Sequence, residues 1–163
     1  MNAPAVLLER VDLNRLYWPF VERLVRLLTL ASERGADFYG ISAWRSYAEQ
    51  DLLYAQGRID KGAIVTRAKG GESWHNFGLA CDLCRDGYVD RRGLQPDWRP
   101  ESYEVLRELA AEVGLEWGGD WKHPDRPHVQ LAGLTSRLLA EVRAAYETRG
   151  ILAAWDAVSS RAA

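Results

Sequence analysis

Ser73-Trp74-His75-Asn76-Phe77-Gly78-Leu79-Ala80-Cys81-Asp82 sets a histidine and an aspartate seven positions apart across a glycine. From Leu79 the residues alternate as a strand, with Ala80 and Asp82 on one face and Leu79, Cys81 and Leu83 on the other. An odd offset would place His75 and Asp82 on opposite faces of an unbroken strand, so the chain must turn between them. Gly78 is where that turn can occur. The stretch reads as two-thirds of a metal site. The chain has only three histidines, and the other two lie in Trp117-Gly118-Gly119-Asp120-Trp121-Lys122-His123-Pro124-Asp125-Arg126-Pro127-His128, so the missing ligand is sought there.

Pro127-His128-Val129-Gln130-Leu131 reads as a short strand whose alternation aims His128 and Gln130 the same way. His123, next to Pro124, sits in the loop and is the rival third ligand. Two neutral imidazoles and one carboxylate are a ligand set that zinc takes readily, with a fourth position left for water. Such a centre polarises a carbonyl and acidifies bound water. Water activation needs a general base, and Asp125 stands three residues before His128 between prolines; Asp120 competes with it. Arg45, at a strand-to-helix junction, is either a surface charge or a donor to substrate oxygen. Ser73 neighbours the site, and Trp74, Trp117 and Trp121 lie close enough to wall a cleft. The blander alternative makes the histidines half-buried polar residues and Asp125 a solvated loop acid.

Working outward, the apolar spacing from Trp18 to Ala31 predicts an amphipathic helix stopped at Gly35. Asp37 to Ala43 predicts a strand, and Ser46-Tyr47-Ala48-Glu49 a capping box opening a helix to about Gln56. Residues 57–73 predict a long site-lining loop. Asp86-Gly87 predicts a tight turn into Tyr88-Val89. A second loop over Gly93 to Pro100 precedes a helix over Glu101 to Val113, stopped at Gly114. Leu115 to Trp117 is another short strand. Thr135 caps a helix to about Arg149, and Ile151 to Val158 forms a shorter one.

A chain of 163 residues fits one domain spanning 1–163, with C-terminal helices of about 135–158 packed on it. A net charge of -2 gives no electrostatic reason to expect nucleic acid. Glu22, Arg23 and Arg26 interrupt the most apolar window, so no membrane span is expected. The N-terminus lacks the pattern of a secretory signal, which predicts cytoplasmic synthesis and release by other means. Cys81 and Cys84 form a C-x-x-C pair that raises a redox couple or half a zinc knuckle. Side chains three apart on a strand face opposite ways, which favours buried, reduced thiols.

These residues resemble the zinc D-Ala-D-Ala carboxypeptidase and L-alanyl-D-glutamate endopeptidase family, which includes phage endolysins and vancomycin-resistance dipeptidases. The family pattern Ser-x-His-x-x-Gly-x-Ala-x-Asp is met at Ser73, His75, Gly78, Ala80 and Asp82, and its acid-x-x-His at Asp125 and His128. Trp44-Arg45-Ser46 through Gln50, Tyr54 to Arg58 and Trp117 to Trp121 are similar to the endolysin and bacterial endopeptidase branch. The resemblance covers roughly Val11 to Leu131. It implies zinc held by His75, Asp82 and His128, Asp125 as catalytic base, and Arg45 stabilising substrate or the tetrahedral intermediate. Ser73 and Trp121 join Arg45 as expected substrate contacts. The fold implied is α+β, a small central antiparallel sheet packed with helices as in hedgehog and D,D-peptidase relatives, with the zinc cleft on the sheet. The activity implied is hydrolysis of the peptidoglycan stem peptide by a monomer, at the L-Ala-D-Glu bond, in a phage or prophage endolysin that lyses the cell wall. A D,D-carboxypeptidase or dipeptidase and a non-catalytic zinc-containing binding module are the alternatives. Departures are Ala43-Trp44 for Gly-Tyr, Cys81 for an aliphatic residue, and Gln130 where an acid is often seen.

Overall fold

The computed structural model describes residues 7–87 and 94–161. Its first long helix, α1 (Trp18–Glu33), carries Pro19 in its opening turn, where a missing N–H costs nothing. Phe20, Leu24, Leu27 and Leu28 recur at helical spacing, and all four are fully buried. That stripe packs against β1 (Phe38–Ser42) and against α3, described below. Ser46 then caps α2 (Tyr47–Ala55): its hydroxyl accepts from Glu49 N while the Glu49 carboxylate accepts from Ser46 N at 2.7 Å.

After the loop, Trp74–Phe77 forms one 3-10 turn and leads into β2 (Ala80–Asp86). Gly87 N donates to Gln95 O at 2.8 Å, and the chain returns as β3 (Pro96–Asp97), a two-residue strand inside what the composition reads as loop. The expected entry of Tyr88-Val89 into a hairpin lies outside the described residues. The helix expected over Glu101 to Val113 is split: a 3-10 turn over Pro100–Tyr103 precedes α3 (Val105–Glu112). Pro100 opens the tight turn at a position where its missing N–H costs nothing, and the chain passes into the α-helix at Glu104. β4 (Leu115–Trp117), β5 (His128–Leu131), α4 (Ser136–Arg149) and α5 (Ile151–Ser159) complete the chain close to their expected bounds.

The architecture is α+β. The sheet runs β1-β2-β5-β4, every pairing antiparallel, with β3 on β2. Leu79, Cys81, Leu83 and Val129 join the helices in one buried core. α4 and α5 pack on each other and on the 3-10 turn, where Trp155 Nε1 donates to Phe77 O at 2.8 Å. Phe77 is fully buried among the rings of Tyr47, Trp74 and Tyr146. Burying one such ring stabilises by about 1.5–3 kcal/mol, which anchors the turn that carries His75.

Both cysteines are free and buried. Burial pushes the Cys84 thiol up to about 11 and raises that of Cys81 as well, so neither presents a thiolate. No described helix is long and apolar enough to cross a membrane.

Candidate metal centre

Asp82 sits in the middle of the sheet, opposite Ser42 on β1 and opposite His128 on β5. Directly paired residues of antiparallel strands share a face, so register alone brings this carboxylate to His128. His75 arrives differently. Ser73 Oγ caps the 3-10 turn by accepting from His75 N at 3.4 Å, and Gly78 ends it in the left-handed region at φ 70°. A side chain at Gly78 would also strike Arg15 O. The turn swings His75 onto the face of Asp82 and His128, which an unbroken strand would forbid.

The three donor atoms form a nearly equilateral triangle. His75 Nε2 lies 3.2 Å from His128 Nδ1 and 3.2 Å from Asp82 Oδ1, and His128 Nδ1 lies 3.3 Å from the same oxygen. A tetrahedral ion with arms of about 2.0–2.1 Å has edges of about 3.3 Å, so the triangle fits one face of such a site. Among the described residues, this is the group that could hold a metal.

Each ring is also set in the tautomer that a metal needs. Ala43 O can only accept, so His75 Nδ1 carries the proton, at 2.6 Å, and Nε2 offers its lone pair. His128 uses the opposite pair: Nε2 donates to Gln130 Oε1 at 3.0 Å and leaves Nδ1 free for the centre. Both histidines are buried. Burial holds the His75 imidazole below its usual value. For His128 burial works in the same sense, but the hydrogen bond and charge of Asp82 outweigh it and raise the group. Burial opposes the Asp82 charge too, yet His75 and His128 hold it well below the usual carboxylate range.

Arg45 closes the far side of Asp82. Nη2 hydrogen-bonds Asp82 Oδ2, Nε donates to Ser42 Oγ at 3.0 Å, and Nη1 donates to Gln50 Oε1 at 3.3 Å. The guanidinium expected at the substrate is thus spread over protein acceptors. Gln50, fully buried, in turn donates to Ala68 O at 2.9 Å and so ties Arg45 to the loop. Asn76, also fully buried, accepts from Gly71 N at 2.9 Å and donates to Arg45 O at 3.0 Å. Neither amide stands out in the sequence, since buried polar residues on short elements leave no periodic mark. Gln130 is marked by strand alternation and by standing where the resembling family often has an acid.

Asp125 stands on the loop before β5, its N–H bonded to Gly118 O at 2.9 Å. A Cβ at Gly118 would collide with Asp125 O, so this approach requires glycine. Asp125 is an exposed residue on this loop, yet the atoms around its carboxyl desolvate it enough to push it up, as does the Asp82 charge, against the pull of His128, His75 and Arg45. Trp121 lays its ring on His128, centroids 4.9 Å apart, and is held there by Nε1 donating to Glu116 Oε1. Ser73 is placed as a cap, and Trp121 as a ring neighbour of His128. His123 is exposed and outside the cluster. Asp120 is exposed and paired with Arg107 Nε at 2.7 Å.

Comparison with known proteins adds an independent line. The family of D-alanyl-D-alanine carboxypeptidases matches residues 66–131, which include His75, Asp82, Asp125 and His128. The peptidoglycan L-alanyl-D-glutamate endopeptidase CwlK of Bacillus subtilis (strain 168) is 43% identical over 116 residues, 64% of this chain and 66% of its own. Among solved structures, the Serratia marcescens L-Ala D-Glu endopeptidase ChiX superposes with a TM-score of 0.53 at 24% identity, over 74% of this chain and 84% of that one. VanYB in complex with D-alanine-D-alanine gives 0.52 at 19% identity, over 77% of this chain and 75% of that one. At those identities the two structures share the fold; CwlK and the family match carry the sequence relationship. With its motif residues inside the matched region, the chain belongs to the metallopeptidase family of D-alanyl-D-alanine carboxypeptidases and L-alanyl-D-glutamate endopeptidases.

Proposed function

We propose that this protein is a zinc-dependent peptidoglycan endopeptidase that hydrolyses the stem peptide at the L-Ala-D-Glu bond, acting on the cell wall as a phage or prophage endolysin. The observation that carries the reading is the triangle of His75 Nε2, His128 Nδ1 and Asp82 Oδ1, with both imidazole tautomers set by acceptors behind them. Bound there, zinc would supply Lewis acidity toward the scissile carbonyl and the attacking water.

The chain supplies the rest. Asp125, with its carboxyl raised above the usual carboxylate value, accepts the proton that the water gives up and returns it to the departing amine nitrogen. Arg45 holds the Asp82 carboxylate in register, and a cation this near the centre favours the negative charge that develops on the carbonyl oxygen. The Trp121 ring packed beside His128 offers an apolar surface that a bound peptide could cover. The 43% identity to CwlK over 116 residues supports the L-Ala-D-Glu bond.

The matching family description, D-alanyl-D-alanine carboxypeptidase, favours removal of a terminal D-alanine as the second reading. Digestion of purified muropeptides with mass spectrometry of the products separates the two. New N-terminal D-Glu peptides support the endopeptidase, and loss of D-Ala alone supports the carboxypeptidase. Chelation should abolish either activity and added zinc restore it; hydrolysis indifferent to metal would overturn both.

A further inference from the structure

A cleft of about 750 Å³ opens beside Arg45, between the chain before α1, the end of β1 and the outer face of α2. Ala43 and Arg45 line the cleft and also bond His75 and Asp82, so the cleft adjoins the candidate centre across these two residues. Its exposed apolar floor includes Ile41 and Leu52.

The guanidinium groups lining it differ in what they have left to give. Arg45 spends Nε, Nη1 and Nη2 on Ser42, Gln50 and Asp82. Arg15 lies with its guanidinium 4.3 Å from the centroid of the Trp44 ring and directs only Nε at Asp12, at 3.4 Å. Among the described residues its terminal amino groups have no acceptor. Arg10, exposed on the same cleft, makes no side-chain hydrogen bond or ion pair among them either. The acids of the cleft are already used: Asp12 accepts from Asn14 N, and Glu49 accepts from Ser46 N and Oγ. A flat, stacked guanidinium with an unspent fork above an apolar floor is preorganised for bidentate capture of a carboxylate.

We propose that this cleft is a carboxylate-reading subsite of the substrate groove, in which Arg15, stacked on Trp44, and Arg10 bind a carboxylate of the stem peptide outside the residue pair that is cut. The inference rests on the peptidoglycan reading above and adds a determinant of which stem peptides are accepted.

The test uses two stem-peptide analogues whose scissile amide is reduced to a methyleneamine, identical except that the carboxyls beyond the cut pair are free in one and amidated in the other. Calorimetry on the zinc-loaded protein should show the free acid binding about tenfold tighter, with the advantage falling as salt rises. Arg15→Gln and, separately, Arg10→Gln should each erode that advantage and leave the affinity for the amidated peptide unchanged, and Arg15→Lys should restore part of it. Equal affinities for the two peptides, or variants that weaken both alike at unchanged melting temperature, would overturn the subsite. Turnover of the unreduced peptides is followed on the same preparation. Carboxylate-dependent binding without turnover supports the subsite and sinks the hydrolytic reading; turnover without carboxylate preference does the reverse.

Discussion

Arg45 and Asp82 meet through Nη2 and Oδ2, leaving Oδ1 of the same carboxylate to His75 and His128. One carboxylate oxygen therefore faces the candidate centre while the other is held by a cation that has two further anchors. Removing that cation leaves a largely buried carboxylate without its orienting partner. Arg45→Met is expected to weaken zinc binding about 10- to 100-fold in competition with a chromophoric chelator, alongside its effect on turnover. Unchanged zinc affinity with reduced turnover would instead place Arg45 on the substrate alone.

Gln130 holds the Nε2 proton of His128 from a position as buried as the histidine itself. Gln130→Ala removes the acceptor, frees the ring to rotate or change tautomer, and should lower zinc affinity about tenfold. Gln130→Glu keeps an acceptor and adds a charge that makes the imidazole more basic, so affinity should hold or rise. Equal losses in both variants would mean that the position matters for packing and not for the ring.

Asp125 is the group whose loss should separate chemistry from metal binding. Asp125→Ala is expected to cut turnover by about 10²–10⁴-fold with zinc still bound at one equivalent. Because desolvation raises its pKa, the carboxyl of the zinc-free protein should titrate above 3.8 in a carbon-detected NMR experiment. The base acts deprotonated, so the activity carried by Asp125 is present above its pKa and lost as pH falls through it. Zinc adds a nearby positive charge and should move the same titration down. Loss of zinc in the alanine variant would make Asp125 a ligand.

Much of this was legible in the sequence, for identifiable reasons. Alternation from Leu79 and around His128 put Asp82 and His128 on strands, and the odd offset demanded a turn at Gly78, where the structure has φ 70°. The capping box at Ser46 and Glu49 fixed the start of α2. What escaped is nonlocal. The split of the Glu101 to Val113 segment falls at Glu104, where no breaker residue marks it, and β3 exists only because Arg85 and Asp86 offer it a partner. Gln50 and Asn76 are informative only once the loop and Arg45 are folded around them, because their bonds span up to 31 positions.

Asp97 gives a stability measurement far from the centre. Bonds from the Arg99 side chain, Ser102 Oγ and Arg99 N hold its carboxyl well below the usual range, and together they fasten β3 to the turn that starts α3. A depressed folded-state pKa stabilises above the unfolded pKa and is lost as pH falls toward the folded one. Asp97→Asn should therefore melt below wild type at neutral pH, and the gap should close as pH drops below about 3.9. A gap that is constant with pH would assign the effect to hydrogen bonding without charge.

Gly78 joins the two halves of the cluster, and its replacement tests whether the turn is what brings them together. Gly78→Ala forces an L side chain into the left-handed region, at about 1–2 kcal/mol, before any collision is counted. The added Cβ also meets Arg15 O, part of the chain whose next residue but one, Tyr17, donates its N–H to Gly78 O at 3.0 Å. Relief requires either the turn or that segment to move. Moving the turn carries His75 away from Asp82 and His128, while β2 and β5 keep those two paired through their ladder. The expected result is a destabilised but folded protein whose remaining pair of ligands binds zinc far more weakly, read together by thermal melting and zinc stoichiometry. A variant of lowered melting temperature that still binds one zinc at full affinity would show that His75 reaches its partners without depending on the left-handed turn.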